Sequence, residues 1–398
     1  MKYTVDDNKL IIYLEGRISS ENAPQIQNEI FEIIDKNQDV LANNPEMVIE
    51  LDVENLEYIS SAGLRVLMLL KKKVKQNISI INTSLELYEI FDVTGFSNIF
   101  EVKKRVRNIS IDGCDIVGQG AIGTVYRIDE DTIVKVYNEG TSMEEIEREK
   151  KMAKQAFIMG IPTAIAYDVV MVGERYGTVF EMLKAKNFNE LLIEKPDEKE
   201  DIVRNYARFL RQVHSVEMVD SNLPDIRDLF LSFLDEIGDT LPKDLSDRLR
   251  ELITGMPKCM TTIHGDVQMK NVMFDGDEPI LIDMESLSVG NPVFELQALY
   301  ITYVLYNEDE PGNSGRFLGI DDEMSEFVYN RSLDYYFEGY SDKEREEAER
   351  KIRIVAYIRF LHLICVRNIG LPELYETRVN HTIEHLREEL PLITTLEI

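Results

Sequence analysis

The sequence predicts a small α/β domain over residues 1–103, followed by a larger α+β bilobal domain with a strand-rich lobe over 108–183 and a helical lobe over 184–398. Three observations carry this expectation. Strand and helix patterns alternate through the first segment, short β-branched runs with a single capped helix fill the second, and the pattern beyond Leu183 is mostly helical. The seam is a basic stretch, Lys103-Lys104-Arg105-Val106-Arg107, which reads as a solvated linker in an otherwise acidic chain.

In the first segment, Lys9 to Glu15 predicts a strand, and Glu21 to Asp35 a helix with Ile26, Ile30 and Ile33 on one face. Met47 to Val53 is nearly all apolar, as expected of a strand covered on both faces. A second helix opens near Ser61 and ends in Lys71-Lys72-Lys73, where cations suit the negative end of the helix dipole. Ile78 to Ile81 gives a further strand, and Leu85 to Phe91 a helix that stops by Gly95. Beyond the seam, strands are expected around Ile116, Val125, Val134, Val169 and Val179. A helix is expected between the third and fourth of these, with Ser142 and Glu145 spaced as a capping box.

The 398 residues suit two or three domains. A net charge of −29 and a pI near 4.6 argue against nucleic acid or an anionic membrane as the main partner, since both are polyanions. Cys114, Cys259 and Cys365 are too scattered for a disulfide framework or a metal-ligand spacing. No apolar run approaches bilayer length and Met1-Lys2-Tyr3 does not open a signal peptide, so a cytoplasmic location is expected.

Between Gly118 and Asp283 the chain spells out, in order, the parts of a kinase active site. Gly118-Gln-Gly120-Ala-Ile-Gly123-Thr-Val125 is a glycine-rich loop of the kind that brings backbone against a polyphosphate. A dinucleotide fingerprint would need a helix directly after it, whereas Thr124 to Ile128 alternates like a strand. Lys135, on an apolar strand, is placed to meet the α and β phosphates. Its fixing carboxylate is Glu149, with Glu147 and Glu145 as rivals on the same helix. His264-Gly265-Asp266 follows, then Asn271 and Ile282-Asp283-Met284-Glu285. Asp266 reads as the catalytic base, Asn271 and Asp283 as oxygen ligands for Mg2+, and His264 as a residue that orients the loop.

Two resemblances follow from these residues. Gly16-Arg17-Ile18, Tyr58-Ile59-Ser60-Ser61-Ala62-Gly63-Leu64 and Asp92-Val93-Thr94-Gly95-Phe96 resemble a STAS domain, the module of anti-sigma factor antagonists and sulfate-transporter tails. Without membrane spans, the antagonist version is expected. That family's modified serine matches Ser61, making it a candidate phosphosite, although Ser60 or Ser61 also serves simply as a helix cap. From residue 108 onward the chain resembles the aminoglycoside phosphotransferase and choline kinase branch of the protein-kinase-like fold. The protein-kinase loop arginine is Gly265 here, the loop lysine is Gln268, and Asp-Phe-Gly is Asp283-Met284-Glu285. Gly290-Asn291-Pro292-Val293-Phe294-Glu295-Leu296 matches the branch's G-D-P-x-x-D-L element with Glu295 in place of aspartate.

The resemblance implies an ATP- and Mg2+-dependent phosphotransferase acting on a small-molecule hydroxyl, with a STAS module for a protein partner. The alternative is a partner-switching regulator whose kinase lobe acts on protein or only senses nucleotide. Tyr300, Tyr303 and Tyr306 at helical spacing read as core rather than a cation pocket. Glu308-Asp309-Glu310 and Asp321-Asp322-Glu323 read as solvated surface rather than amine ligands.

Overall fold

The computed structural model describes residues 1–6, 8–120, 122–218, 223–274 and 276–398. Its contacts separate into two units, Met1–Ser110 with Val170–Gly173, and Ile111–Val169 with Glu174–Ile398.

In the first unit, strands β1 (Tyr3–Val5), β2 (Lys9–Ile18), β3 (Val48–Ile59), β4 (Ile78–Thr83) and β5 (Glu101–Lys104) lie side by side in chain order. Only β1 runs antiparallel to its neighbour. Helices α1 (Ala23–Lys36), α2 (Gln38–Asn43), α3 (Ser61–Lys73) and α4 (Leu85–Val93) complete the α/β pattern. Ile49 and Leu51 of the apolar run are fully buried and join Ile12, Ile30, Leu67, Leu70 and Phe91 in one core. Helix α3 starts where the Ser60 side chain accepts the Gly63 N–H at 3.3 Å. Gly63 itself is fixed by packing, because a Cβ there would sit 2.7 Å from both Ile18 and Ile59.

The basic seam is not a solvated linker. Lys104 pairs with Thr83 in the sheet, the Arg105 N–H donates to Thr83 at 2.8 Å, and Arg107–Asn108 forms a short strand, β6, parallel to Val170–Met171. The lysines of β5 occupy an edge strand, where charge deters further strand pairing, and composition alone does not separate such an edge from a linker.

In the second unit, β7 (Ile116–Gln119), β8 (Gly123–Arg127) and β9 (Thr132–Tyr137) form an antiparallel meander. Helix α5 (Met143–Ile158) follows, then β10 (Ala166–Val172), whose last three residues group with the first unit, and β11 (Arg175–Glu181). The sheet order β10–β11–β9–β8–β7 places β9 between β11 and β8. The glycine-rich loop joins two strands, which rules out the dinucleotide fingerprint. Both halves of the Ser142–Glu145 capping box are made.

The rest is helical around a large apolar core, with short strands at Thr262–Ile263, Val272–Phe274 and Pro279–Leu281 that carry the connecting loops. Tyr300 and Tyr303 are buried, as expected of core residues, on a helix that widens to π geometry over Ile301–Leu305. The acidic runs are not simply solvated. Glu308 accepts from the Tyr300 hydroxyl at 2.8 Å, Asp309 meets His381 at 2.9 Å, and Glu310 pairs with Arg378 at 2.5 Å. Asp321 caps a helix through the Met324 N–H and Asp322 accepts the Gly312 N–H, while Glu323 is exposed. The partners of Asp309 and Glu310 lie far along the chain, so local composition could not show that these two charges were already matched. No helix among the described residues is long and apolar enough to cross a membrane.

Candidate active site

Lys135 sits mid-strand on β9, opposite Thr178 of β11, with its side chain only 12 % exposed. Its ammonium lies 3.2 Å from Glu149 and 2.9 Å from Asp283. Burial alone would push this ammonium down, but the carboxylates of Glu149 and Asp283 outweigh it and hold the group above its usual value. Of the three rival helix acids, Glu149 makes the pair; Glu145 is consumed in the cap of its own helix. The Tyr137 hydroxyl donates to the second Glu149 oxygen at 3.0 Å, so the carboxylate is held from two sides. Burial, with the Glu149 charge beside it, keeps that phenol protonated well above its ordinary range.

The loop carrying Asp266 is suspended from buried groups. Glu295, fully buried, accepts backbone N–H groups from both His264 and Gly265. His264 shows no exposure; its Nε2 donates to the Ile282 carbonyl at 3.0 Å, and its Nδ1 accepts the Asp266 N–H at 3.4 Å. These partners fix the tautomer and couple the Asp266 loop to the Asp283 segment. Tyr206 donates to the Val267 carbonyl, and the Tyr303 hydroxyl accepts the Met269 N–H at 3.2 Å. Gly265 has φ +89°, and a Cβ there would meet Ser286 at 2.7 Å, so the position that is arginine in protein kinases has no room for a side chain.

Asp266 accepts from the Asn271 amide at 2.9 Å and from the Gln268 amide at 3.2 Å. The Asn271 nitrogen also reaches the Asp266 carbonyl at 2.8 Å, which leaves the Asn271 oxygen as a donor for a cation. Asp283 adopts a left-handed conformation, φ 64° and ψ 65°, one of three non-glycine positive-φ residues among those described. Glu285 joins the group: burial first, then the neighbouring Asp283 charge, pushes its carboxyl above the usual range, and the fields of Lys135, Glu149 and Asp266 also reach it. Lys135, Glu149, Asp266, Asn271 and Asp283, distant in sequence, are thus brought to one place.

The loop glycines separate by cause. A Cβ on Gly123 would stand 2.4 Å from the Val136 carbonyl oxygen, so that glycine serves the close approach of β8 to β9. At Gly118 a Cβ would make only ordinary contact with Val125, and at Gly120 it would meet nothing within 4 Å. Among the described residues, packing gives Gly120 no reason to lack a side chain.

For a metal, the available donors are oxygens from Asn271, Asp283 and Glu285, a set suited to a hard cation. Among the described residues no three His, Cys, Asp or Glu side chains form a ready-made cage. Magnesium fits such a site, because it takes one or two carboxylates and fills its remaining positions with water and phosphate oxygens.

Sequence reasoning missed Tyr206 and Glu285, treated Tyr303 only as core, and left Glu295 as a motif mismatch. The signal for Glu295 was an acid embedded in the apolar run Val293-Phe294-Glu295-Leu296, where an unpartnered carboxylate would be costly.

Residues 114–327, over half the chain, match the Phosphotransferase enzyme family, and residues 1–109 match the STAS domain. The chain belongs to the Phosphotransferase enzyme family and carries an N-terminal STAS domain ahead of a kinase-like fold. Over 107 residues the STAS portion is 36% identical to BtrV of Bordetella bronchiseptica, named an anti-sigma factor antagonist, covering 26% of this chain and 85% of that protein. Over 101 residues it is 27% identical to the anti-sigma-B factor antagonist of Listeria monocytogenes, covering 25% of this chain and 82% of that one. Among solved structures, ADP-bound aminoglycoside phosphotransferase APH(2'')-Ib aligns at 17% identity and TM-score 0.48, covering 70% of this chain and 94% of that one.

Proposed function

We propose that the second unit transfers the γ-phosphate of ATP, with Mg2+, to a hydroxyl of a small molecule, and that the STAS domain docks a protein partner. In this reading residues 1–103 form the docking module, 108–183 the nucleotide lobe and 184–398 the acceptor lobe. The carrying observation is the convergence of Lys135, tied to Glu149 and Asp283, with an Asp266 held by Asn271, beside a glycine loop open at Gly120.

The backbone at Gly118 and Gly120 takes the phosphates, with Gly123 setting the strand approach that shapes the loop. Lys135, fixed by Glu149, neutralises the α and β phosphates. Asn271 and Asp283 would hold Mg2+, which would supply charge neutralisation on the phosphate oxygens. Asp266 aligns the acceptor hydroxyl and receives its proton as the acceptor oxygen bonds to the γ-phosphorus. The bond from that phosphorus to the β–γ bridging oxygen breaks, and ADP leaves. A nucleotide sensor would need Lys135 and the loop but no oriented Asp266, which favours transfer over sensing. Incubation with γ-labelled ATP, Mg2+ and a panel of alcohols tests the proposal. Label on an acceptor hydroxyl supports it, and binding of ATP without transfer to any alcohol or water leaves the sensor reading in its place.

For the STAS domain, similarity to antagonists supports a protein partner and modification at Ser61. Ser60 provides the helix cap, which leaves the exposed Ser61 at the first helical position, where a phosphate would meet unpaired N–H groups. Phosphate mapping by mass spectrometry after incubation with ATP and Mg2+, with and without the Asp266→Asn substitution, distinguishes self-modification from modification by another enzyme.

A further inference from the structure

Lys135 and Tyr137 stand two residues apart on β9, so their side chains leave the same face of the sheet. Thr178 of β11 pairs directly across from Lys135 and shares that face. The Tyr137 ring packs with Ile146 of α5 and Val169 of β10 and is 3 % exposed. This packing delivers its hydroxyl to the end of the Glu149 side chain, 3.0 Å from one carboxylate oxygen, and Thr178 Oγ1 lies 3.1 Å from the same hydroxyl. The other Glu149 oxygen meets the Lys135 ammonium at 3.2 Å, and that ammonium lies 5.3 Å from the centre of the Tyr137 ring.

The direction of each hydrogen bond follows from counting protons. An ionised carboxylate only accepts, and Tyr137 has a single proton, which burial and then the Glu149 charge keep on the phenol. That proton goes to Glu149, so Thr178 donates to the phenol oxygen. The chain therefore runs from Thr178 to Tyr137 to Glu149, and Glu149 closes on Lys135. Thr178 and Glu149 are buried as Tyr137 is. The adjoining cavity, lined in part by Tyr137, Glu149, Thr163, Thr178 and Asp283, measures about 20 Å³, room for about one water and too little for a phosphate or a base. The Tyr137 hydroxyl is thus out of reach of a nucleotide and can act on one only through Glu149.

Lys135 divides its ammonium between Glu149 at 3.2 Å and Asp283 at 2.9 Å. When Asp283 turns to a metal, Glu149 is the carboxylate that remains. A carboxylate tied to Lys135 alone follows the ammonium wherever it turns, whereas one also tied to Tyr137 is a fixed point. We propose that Tyr137, steered by Thr178, is a positioning residue for nucleotide binding: it anchors Glu149 so that Lys135 stays aimed at the α and β phosphates. This rests on the phosphotransferase reading of the same site. With Glu149 set beforehand, less side-chain freedom is lost when the nucleotide binds.

The test is a calorimetric titration of the full chain with Mg2+ and a non-hydrolysable ATP analogue. Tyr137→Phe keeps the packed ring and removes only the hydroxyl. It should weaken analogue binding about three- to tenfold, the scale of one hydrogen bond. The effect is bounded because one water can enter the cavity and replace part of the lost donor. In a Glu149→Ala background the same substitution should cause no further loss, because the group it acts through is gone. Scanning calorimetry reports that each variant is folded, and Lys135→Ala is the second background if Glu149→Ala does not fold. Analogue affinity unchanged in Tyr137→Phe, or an equal loss in both backgrounds, overturns the proposal and leaves Tyr137 as a packing residue. Failure of the wild-type chain to bind the analogue counts instead against the phosphotransferase reading, a distinguishable outcome.

Discussion

Gly63, in the first turn of α3, and Gly120, in the loop between β7 and β8, lack side chains for opposite reasons. At Gly63 the protein itself fills the space, with Ile18 and Ile59 each 2.7 Å from where a Cβ would be. At Gly120 no described residue beyond its chain neighbours comes within 4 Å. The same contrast runs through charge. In the STAS unit, Lys9–Glu50 and Lys73–Asp35 are closed ion pairs. In the phosphotransferase unit, the Asn271 side-chain oxygen and the second Asp283 oxygen keep capacity that no described neighbour uses. A residue explained by its neighbours is structural, and one that is not points to a ligand.

The largest expected effect breaks the contrast at its catalytic end. Asp266→Asn removes the proton acceptor while preserving shape, so transfer from labelled ATP should fall by about 10²–10⁴-fold, with nucleotide affinity nearly unchanged. Next, Gly120→Val should lower nucleotide affinity about tenfold or more, a loss of roughly 1.4 kcal/mol, while the unfolding temperature stays put. Gly63→Ala should do the reverse, costing about 1–3 kcal/mol of stability through overpacking and leaving nucleotide binding alone. If both substitutions act on the same property, the contrast fails. A finer pair divides the two serines: Ser60→Ala should cost about 1 kcal/mol as a lost cap, and Ser61→Ala within about 0.5 kcal/mol, as for an ordinary surface site. Scanning calorimetry of the full chain reads each.

The smallest effect is one of pH. His362 stacks on Phe233 at 4.0 Å and meets Glu236 at 3.0 Å. Burial lowers its pKa below the usual 6.5, against the pull of Glu236 and with help from Arg359 and Arg367. A base depressed in the folded state binds fewer protons there than when unfolded. Its contribution is therefore complete above about 6.5 and is lost as pH falls from there toward the folded value. His362→Gln should flatten the unfolding temperature between about pH 7 and 5. An unchanged slope would place the acid sensitivity elsewhere.

Much of this was legible in the sequence. Phosphoryl transfer needs a few residue types at short spacings, so Lys135, Asp266, Asn271 and Asp283 stood out as candidates that the fold brings together, and period-2 and helical patterns located β2 to β4 and α3. The supporting residues were not legible in the same way. Glu295, Tyr206 and Tyr303 reach the loop from helices far along the chain, and only folding shows which buried polar group meets which backbone group. Local charge also misled: Lys103 to Arg107 looked like a linker and is largely strand, while Glu308 to Glu310 looked solvated and is paired.

The most direct measurement of the central claim is a calorimetric titration of the full chain, which has no tryptophan to report binding, with ATP and Mg2+. The account predicts a single saturable site, weakened about ten- to a hundredfold in Lys135→Ala, the scale of a lost charge-assisted contact, and retained in Asp266→Asn. No heat of binding with the wild-type chain, or binding that survives Lys135→Ala unchanged, would contradict it.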